Sequence, residues 1–202
     1  MNEESMRLKW NSRYQNESAP GPTCAMLKEY AFLLPDSGMA LDLACGLGGN
    51  AVLLANHGLQ TSAWDISDVA ISKLADYAQA SGLALKAEVK AITPTMLAQV
   101  KFDVIVIHKF LQRELFPAVI AALTEGGLLF CQTFTVESVS ECVPGNPAFK
   151  LDVNELLVLC AELNIRVFED LGKTGDITLG LRNESFLIGQ KNGKNSLNRH
   201  ES

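Results

Sequence analysis

Residues 41–50, LDLACGLGGN, set a carboxylate inside an apolar run and follow it with a glycine-rich turn. Asp42 is the carboxylate. Gly46, Gly48 and Gly49 fall within four positions. Glycine supplies positive φ and lets a ligand approach the main chain closely. At a strand-to-helix junction it also leaves N–H groups free at a helix N-terminus, where ligand oxygens bind. Gly46 to Ala51 fits G-x-G-x-x-A, a form of the dinucleotide fingerprint, and Asp65 lies at about the right distance to hold ribose hydroxyls. Asp42 favours a different ligand. A carboxylate just ahead of the turn repels a pyrophosphate and suits a cationic group instead.

These residues need a particular set of elements to bring them together. Met39 to Leu43 is expected to be a buried strand, and a helix to run from about Asn50 to His57, closed by Gly58. Leu59 to Trp64 is the second strand and delivers Asp65 at its end. Ser67 or Asp68 caps a helix to about Ser81. Leu83 to Val89 is a third strand, and Thr93 to Val100 a helical crossover. FDVIVI, Phe102 to Ile107, is apolar almost throughout, as a strand buried on both faces should be. Glu114 to Leu123 is a helix with Pro117 tolerated in its first turn. Gly126-Gly127 turns into a fifth strand, Leu128 to Phe134. Residues 135–150 read as a long loop, and Asp152 or Asn154 starts a helix to Leu163. Ile165 to Leu171 and Ser185 to Gln190 are the last strands. They have no helical pattern between them, so they should pair antiparallel.

Alternating strands and helices imply an α/β, doubly wound, mostly parallel sheet with right-handed crossovers. Ligands in such sheets bind beyond the carboxyl ends of the strands. Ahead of the sheet, Glu3 to Glu17 is polar and compatible with a helix, with Trp10 and Tyr14 four apart on one face. Ala19-Pro20-Gly21-Pro22 then breaks the chain, and Thr23 can cap a helix from Cys24 to Leu34. Three parts are expected: a helical lid over residues 1–18, a ligand-binding domain over 19–190, and a polar tail over 191–202.

Composition narrows the function. The 202 residues suit one domain, and a hydrophobic share of 48% can fill a core. The net charge of −6 gives no general field for a polyanion, so nucleic acid is disfavoured as a partner. Five scattered cysteines without a C-x-x-C pair read as reduced thiols of a cytoplasmic protein, with no metal site. MNEESMRLKW lacks the apolar core of a signal peptide, and no run is long enough to span a bilayer. The expected state is a monomer or a homodimer.

The order apolar-Asp-x-Ala-Cys-Gly-x-Gly, Leu41 to Gly48, closely resembles the first motif of class I S-adenosylmethionine-dependent methyltransferases. Lys9 to Tyr14, KWNSRY, resembles the Trp-Asp-x-Arg-Tyr segment of small-molecule methyltransferases of the tellurite-resistance (TehB-like) and thiopurine type. The resemblance implies seven strands in the order 3-2-1-4-5-7-6 with a terminal antiparallel hairpin. It implies S-adenosylmethionine as cofactor and S-adenosylhomocysteine as product. The implied cofactor residues are Asp42, Ala44, Cys45, Gly46, Gly48, Asn50, Asp65, Ile66, Ala91, Ile92, Ile107 and His108, with Arg13 or Tyr14 at the cofactor's carboxylate. Trp64 is expected in the core. An acidic residue usually contacts the adenine amino group after the third strand. Here Ala91 stands in its place, with Glu88 the nearest acid.

Base-amino methyltransferases carry Asn/Asp-Pro-Pro-aromatic after the fourth strand, where this chain has Ile107-His108-Lys109-Phe110. Methylation of an exocyclic base amine is therefore disfavoured. His108 is a candidate general base, with an ordinary pKa near neutrality, or lines the cofactor site through its backbone. Trp10, Phe110 and Phe149 are candidates to wall the acceptor site. In the loop, Val136, Val139 and Val143 join that wall, while Glu137, Glu141 and Asn146 are placed to orient a polar acceptor. The expected reaction is methyl transfer to a small molecule, with soft nucleophiles (thiol, selenium or tellurium species) favoured. The alternatives are a methyltransferase of RNA or protein, and a non-catalytic S-adenosylmethionine-binding regulator.

Overall fold

A computed structural model describes residues 2–141 and 144–193. Val143 of the loop and residues 194–202 of the tail lie outside the described residues. The strands are β1 (Met39–Leu43), β2 (Gln60–Asp65), β3 (Leu85–Val89), β4 (Phe102–His108), β5 (Leu123–Phe134), β6 (Leu163–Glu169) and β7 (Glu184–Lys191). They form one sheet in the order β3-β2-β1-β4-β5-β7-β6. β1 to β5 run parallel, and β7 lies antiparallel to both β5 and β6. This is the doubly wound seven-stranded order implied by the methyltransferase resemblance.

The alternation along β4 shows why the sheet is covered on both faces. Ile105 and Ile107 enter one core with Leu41, Leu43, Leu129 and Cys131. Val104 and Val106 enter the other with Ala40, Phe130 and Ile188. All four β4 side chains are at most 2% exposed. Burying each contributes about 1.5–3 kcal/mol. The first core is closed by α6 (Phe116–Ala122) and α7 (Glu155–Leu159), and the second by α2 (Ala25–Glu29). α3 (Gly49–Asn56) and α4 (Asp68–Ala80) share a third cluster through Ala51, Val52 and Leu74. α5 (Pro94–Leu97) is a single turn capped by the Thr93 hydroxyl. α1 (Glu3–Tyr14) buries no residue fully. Among the described residues, no helix is long and apolar enough to cross a membrane.

Several elements depart from the sequence pattern. The helix expected over Cys24–Leu34 divides into α2 and a 3-10 turn, Ala31–Leu33, because Tyr30 leaves helical geometry between them. Cys24, not Thr23, is the N-cap residue, and the Thr23 hydroxyl donates to Gly49 O instead. β5 begins at Leu123, ahead of Gly126-Gly127. The extra residues form an irregularity where the β4 partner jumps from Leu123 to Leu128 between Phe102 and Val104. Gly126 has φ +77°, and a Cβ on Gly127 would lie 3.0 Å from Thr124 O. The glycines therefore absorb a bulge rather than start the strand. Finally, α7 stops at Leu159, and Leu163 opens β6.

Candidate active site

The glycine turn is braced by the two carboxylates expected to meet a ligand. Asp65 closes β2, and its Oδ2 accepts the Gly46 N–H at 2.8 Å. Its Oδ1 accepts the Ser67 N–H, also at 2.8 Å. Asp42 Oδ2 accepts the Ala51 N–H at 3.0 Å, in the first turn of α3. Backbone N–H groups expected to be free for a ligand are thus partly taken by the protein. Each carboxylate keeps acceptor capacity, because its two oxygens offer about four lone-pair sites. Asp42 Oδ1 is buried and finds no hydrogen-bond donor among the described residues.

Burial governs the charge of both groups. Asp42 is 1% exposed, and burial pushes its pKa from 3.8 to about 7. The Ala51 N–H and the nearby Asn50 amide favour the anion, while Asp65 adds like-charge repulsion. Burial also raises the pKa of Asp65, opposed by the Ser67, Gly46 and Ile66 N–H groups.

Backbone geometry explains the residue types in the turn. Ala44, Gly46 and Gly48 have φ of 59°, 52° and 72°. Gly48 is the left-handed N-cap of α3, and a Cβ there would run into Leu74. Gly49 is needed for close approach: a Cβ would lie 2.3 Å from Gly21 O. The Gly21 N–H donates to Leu47 O at 3.1 Å, so the Pro-Gly-Pro break packs on the turn. Asn50 is buried and its Oδ1 accepts the Cys24 N–H at 2.9 Å, tying α2 to α3.

α1 reaches the same turn. A Cβ on Gly46 would sit 2.7 Å from the Tyr14 hydroxyl. Burial, then the charge of Asp65, raises the pKa of that phenol. Trp10 stacks on Tyr14 at 5.8 Å between ring centroids, and exposed Arg13 lies over Trp10. The helix is held by residues that were not among the expected site residues. Asn11 Oδ1 accepts the Ser67 hydroxyl at 2.7 Å, and Asn11 Nδ2 donates to Asp68. Lys73 Nζ donates to the carbonyls of Tyr14, Gln15 and Glu17 at 2.8, 2.8 and 2.6 Å. A lysine among the last carbonyls of a helix both caps them and complements the dipole. The available signal was Asn11, inside the KWNSRY segment.

Elsewhere on the edge, Ile66, Ala91 and Ile92 are half-buried, and Ile92 packs against the core. Glu88 is engaged by the Trp64 indole N–H at 3.2 Å and by Lys86 and Lys90. Trp64 is buried, as expected. The Ile107 side chain belongs to the core, and His108 is half-buried. Burial, then the Lys109 charge, pushes the His108 pKa down to about 4, with Glu184 opposing. Phe110 packs against the core from a half-buried position.

The loop after β5 is pinned at both ends. Asn183 Oδ1 accepts the Val139 and Ser140 N–H groups, and Val136 N–H donates to Leu151 O. Arg113 pairs with Glu155 and donates to Ala148 O and Lys150 O. Asn146 caps a 3-10 turn, Pro147–Phe149, by accepting the Ala148 N–H. Phe149 on that turn is 51% exposed. Two grooves of about 360 and 440 Å³ lie instead near the amino ends of β4 and β5, bordered by Leu33, Leu128 and Gln190.

The sheet order, the glycine turn and the acid ending β2 define the class I methyltransferase fold. TehB from Haemophilus influenzae matches this chain with a TM-score of 0.67 at 19% identity, covering 91% of this chain and 67% of that one. A structure described as conversion of a disulfide bond into a thioacetal group during echinomycin biosynthesis gives 0.66 at 19% identity, covering 95% and 93%. An S-adenosylmethionine-dependent methyltransferase from Clostridium acetobutylicum ATCC 824 gives 0.62 at 16% identity, covering 83% and 89%. No curated protein sequence matches the chain. The chain belongs to the Tellurite resistance protein TehB family, which matches residues 19–165. It is a methyltransferase, and S-adenosylmethionine is its cofactor. The site fits that cationic ligand: Asp42 Oδ1 is a buried acceptor still without a donor among the described residues.

Proposed function

We propose that the chain methylates a small-molecule acceptor that arrives already nucleophilic, such as a thiolate or a selenium or tellurium oxyanion. The observation behind this reading is the state of His108. An imidazole titrating near 4 is neutral at working pH and a weak base, whereas a general base performs best with a pKa near the operating pH. His108 therefore lines the site rather than removing a proton. When bound, S-adenosylmethionine supplies a methyl group already activated as a sulfonium. The protein's task is then to position the acceptor and exclude water.

In this reading Asp42 faces the cationic end of the cofactor, and Asp65 receives the ribose hydroxyls on its remaining lone pairs. The Ala44–Gly48 backbone and Asn50 shape the turn. Ile66, Ala91 and Ile92 flank the adenine, and Ile107 and His108 border the methyl group. Tyr14, with Arg13 nearby, meets the cofactor's carboxylate. Trp10, Phe110 and Phe149 wall the acceptor. Residues 1–18 act as a lid latched by Lys73. The net charge of −6 supports a small acceptor over RNA. The free thiols Cys24, Cys45, Cys131 and Cys160 support a reducing, cytoplasmic setting.

The test is release of S-adenosylhomocysteine with a panel of thiols, selenite and tellurite species, phenols, amines, RNA and protein. Soft nucleophiles should turn over fastest. Faster turnover of RNA or protein would overturn the reading, and cofactor binding without any turnover would favour a regulator. In the same assay Lys73→Met should slow turnover by about three- to tenfold, because it removes three charged hydrogen bonds that solvent exposure weakens. An unchanged rate would remove the latch.

A further inference from the structure

We propose that Lys109 gives the acceptor site a cationic face, and that the acceptor carries an anionic group which this ammonium holds. The proposal rests on the methyltransferase reading above and deepens it by naming the acceptor's charge.

Lys109 is the residue just past β4. Ile107 is in register with Leu43 of β1, and His108 with Gln132 of β5. Lys109 therefore emerges beside Ala44 and Cys45 of the glycine turn. Its backbone is left-handed, with φ 55°, and its N–H donates to Gln132 O at 2.9 Å. A non-glycine residue in that region costs roughly 1 kcal/mol or more and persists where surrounding structure imposes it, often at functional sites.

The ammonium pairs with Glu184 Oε1 at 3.3 Å, and the pair is lopsided: the lysine side chain is 47% exposed and the glutamate 11%. The carboxylate is fixed from behind. Glu184 Oε2 accepts from Gln132 Nε2 at 2.7 Å, and Gln132 Oε1 accepts the Met26 N–H at 3.1 Å. The buried partner of the pair is thus negative and immobilised, while the partner at the surface is positive. The ammonium also lies 5.5 Å from the Phe134 ring centroid, which limits where it can swing. Lysine has three N–H donors, so an ion pair with one carboxylate leaves capacity for an anion.

Three other cations of the chain are already committed. Arg113 is occupied by Glu155, Ala148 O and Lys150 O, Lys73 by three carbonyls of the α1 terminus, and Arg182 by carbonyls of Leu171, Gly172, Thr174, Asp176 and Leu179. The chain as a whole carries −6. An anion approaching this edge needs a local positive charge to overcome that field.

The experiment titrates the protein, saturated with S-adenosylhomocysteine, with 3-mercaptopropionate and with neutral 2-mercaptoethanol, following heat. The wild type should bind the anionic thiol more tightly. Lys109→Met should weaken the anionic thiol by about tenfold or more, the scale of one charge-assisted hydrogen bond, and leave the neutral thiol within about twofold. Lys109→Arg should restore most of the loss. Glu184→Gln keeps a hydrogen-bond partner and removes the competing charge, so it should tighten the anionic thiol, a direction that structural damage does not produce. Equal losses for both thiols in Lys109→Met, looser binding in Glu184→Gln, or no binding of the anionic thiol by wild type would overturn the proposal and leave the methyltransferase reading standing. Failure of S-adenosylhomocysteine itself to bind would overturn both.

Discussion

The two halves of the sheet's carboxyl edge are built on different plans. Around the glycine turn, β1, α3, β2 and α4 follow one another, and the carboxylate bonds that brace the turn are short in sequence, while α1 is tied on from outside over 56 to 59 residues. Asp42 reaches Ala51 over 9 residues, and Asp65 reaches Gly46 over 19 and Ser67 over 2. Beyond β4 the bonds are long. Gln132 joins Met26 over 106 residues and Glu184 over 52, and Asn183 holds Val139 over 44. The first half closes small loops and, in the reading proposed above, holds the cofactor. The second closes large loops, and the entropy of closing them grows only slowly with length. If that half holds the acceptor, as proposed above, it can be rebuilt for a different one at little added cost.

The sharpest way to test this division is Asp65→Ala. It should weaken S-adenosylmethionine by about 2–4 kcal/mol, roughly 30- to 1000-fold, on the scale of charged hydrogen bonds. It should also lower the melting temperature, because the Gly46 and Ser67 N–H groups lose their acceptor. Calorimetry and thermal melts read the two effects separately. Tight NAD binding in the wild type, with none of S-adenosylmethionine, would undo the assignment of this half.

Asp42→Asn is expected to have the next largest effect, and it should act in opposite directions on stability and on binding. A carboxyl with a folded pKa near 7 keeps its proton when folded and loses it near 4 when unfolded. The native state then binds more protons between those values, so this group's contribution to stability falls as pH rises from about 4 to about 7. Asparagine removes that slope and still offers an oxygen to the Ala51 N–H. Stability of the variant relative to wild type should climb across that window, by at most about 4 kcal/mol at 1.36 kcal/mol per unit. Affinity for the cationic cofactor should drop by about tenfold, as for one charged hydrogen bond. Denaturant melts at pH 5 and pH 8 check the first claim. A relative stability that stays flat with pH would show that Asp42 is ionised in the folded protein throughout.

The same division governs what could be read from the sequence. Met39–Leu43 was legible to the residue, and FDVIVI nearly so, because a doubly buried strand has to be apolar on both faces. The placement of the Asp42–Gly49 turn and of Asp65 at the end of β2 was legible because the residue types are contiguous and at fixed spacing. The strand order came from the family resemblance. Gly126-Gly127 misled because a bulge inside a strand and a turn before one make the same demand on backbone angles. Thr23 looked like a cap, but its hydroxyl is claimed by Gly49 O, a tertiary contact. Lys73, Gln132 and Glu184 carried no local signal. Their roles arise only once α1 lies on α4 and β7 pairs with β5.

Phe149→Ala tests the acceptor half and should have the smallest effect on everything except acceptor choice. The ring is half exposed on a 3-10 turn, so removing it costs far less than emptying a core site. The turn itself is held by Asn146 and Arg113, neither of which the substitution touches. The loop backbone should therefore stay in place, and the melting temperature should hardly move. Cofactor affinity should remain within about threefold, under 1 kcal/mol, because the residues that brace the glycine turn lie in the other half. Acceptor kcat/KM should change by several-fold and unevenly across the panel, because an aromatic wall contacts bulky acceptors more than small ones. One methylene of hydrophobic contact already discriminates about tenfold or more, so a lost ring is enough to reorder preferences. If Phe149→Ala instead lowers cofactor affinity and stability together and leaves acceptor order intact, the loop is a cover over the sheet edge. The two halves would then be one cooperative unit, and the short-range and long-range bonds would no longer mark a division of labour.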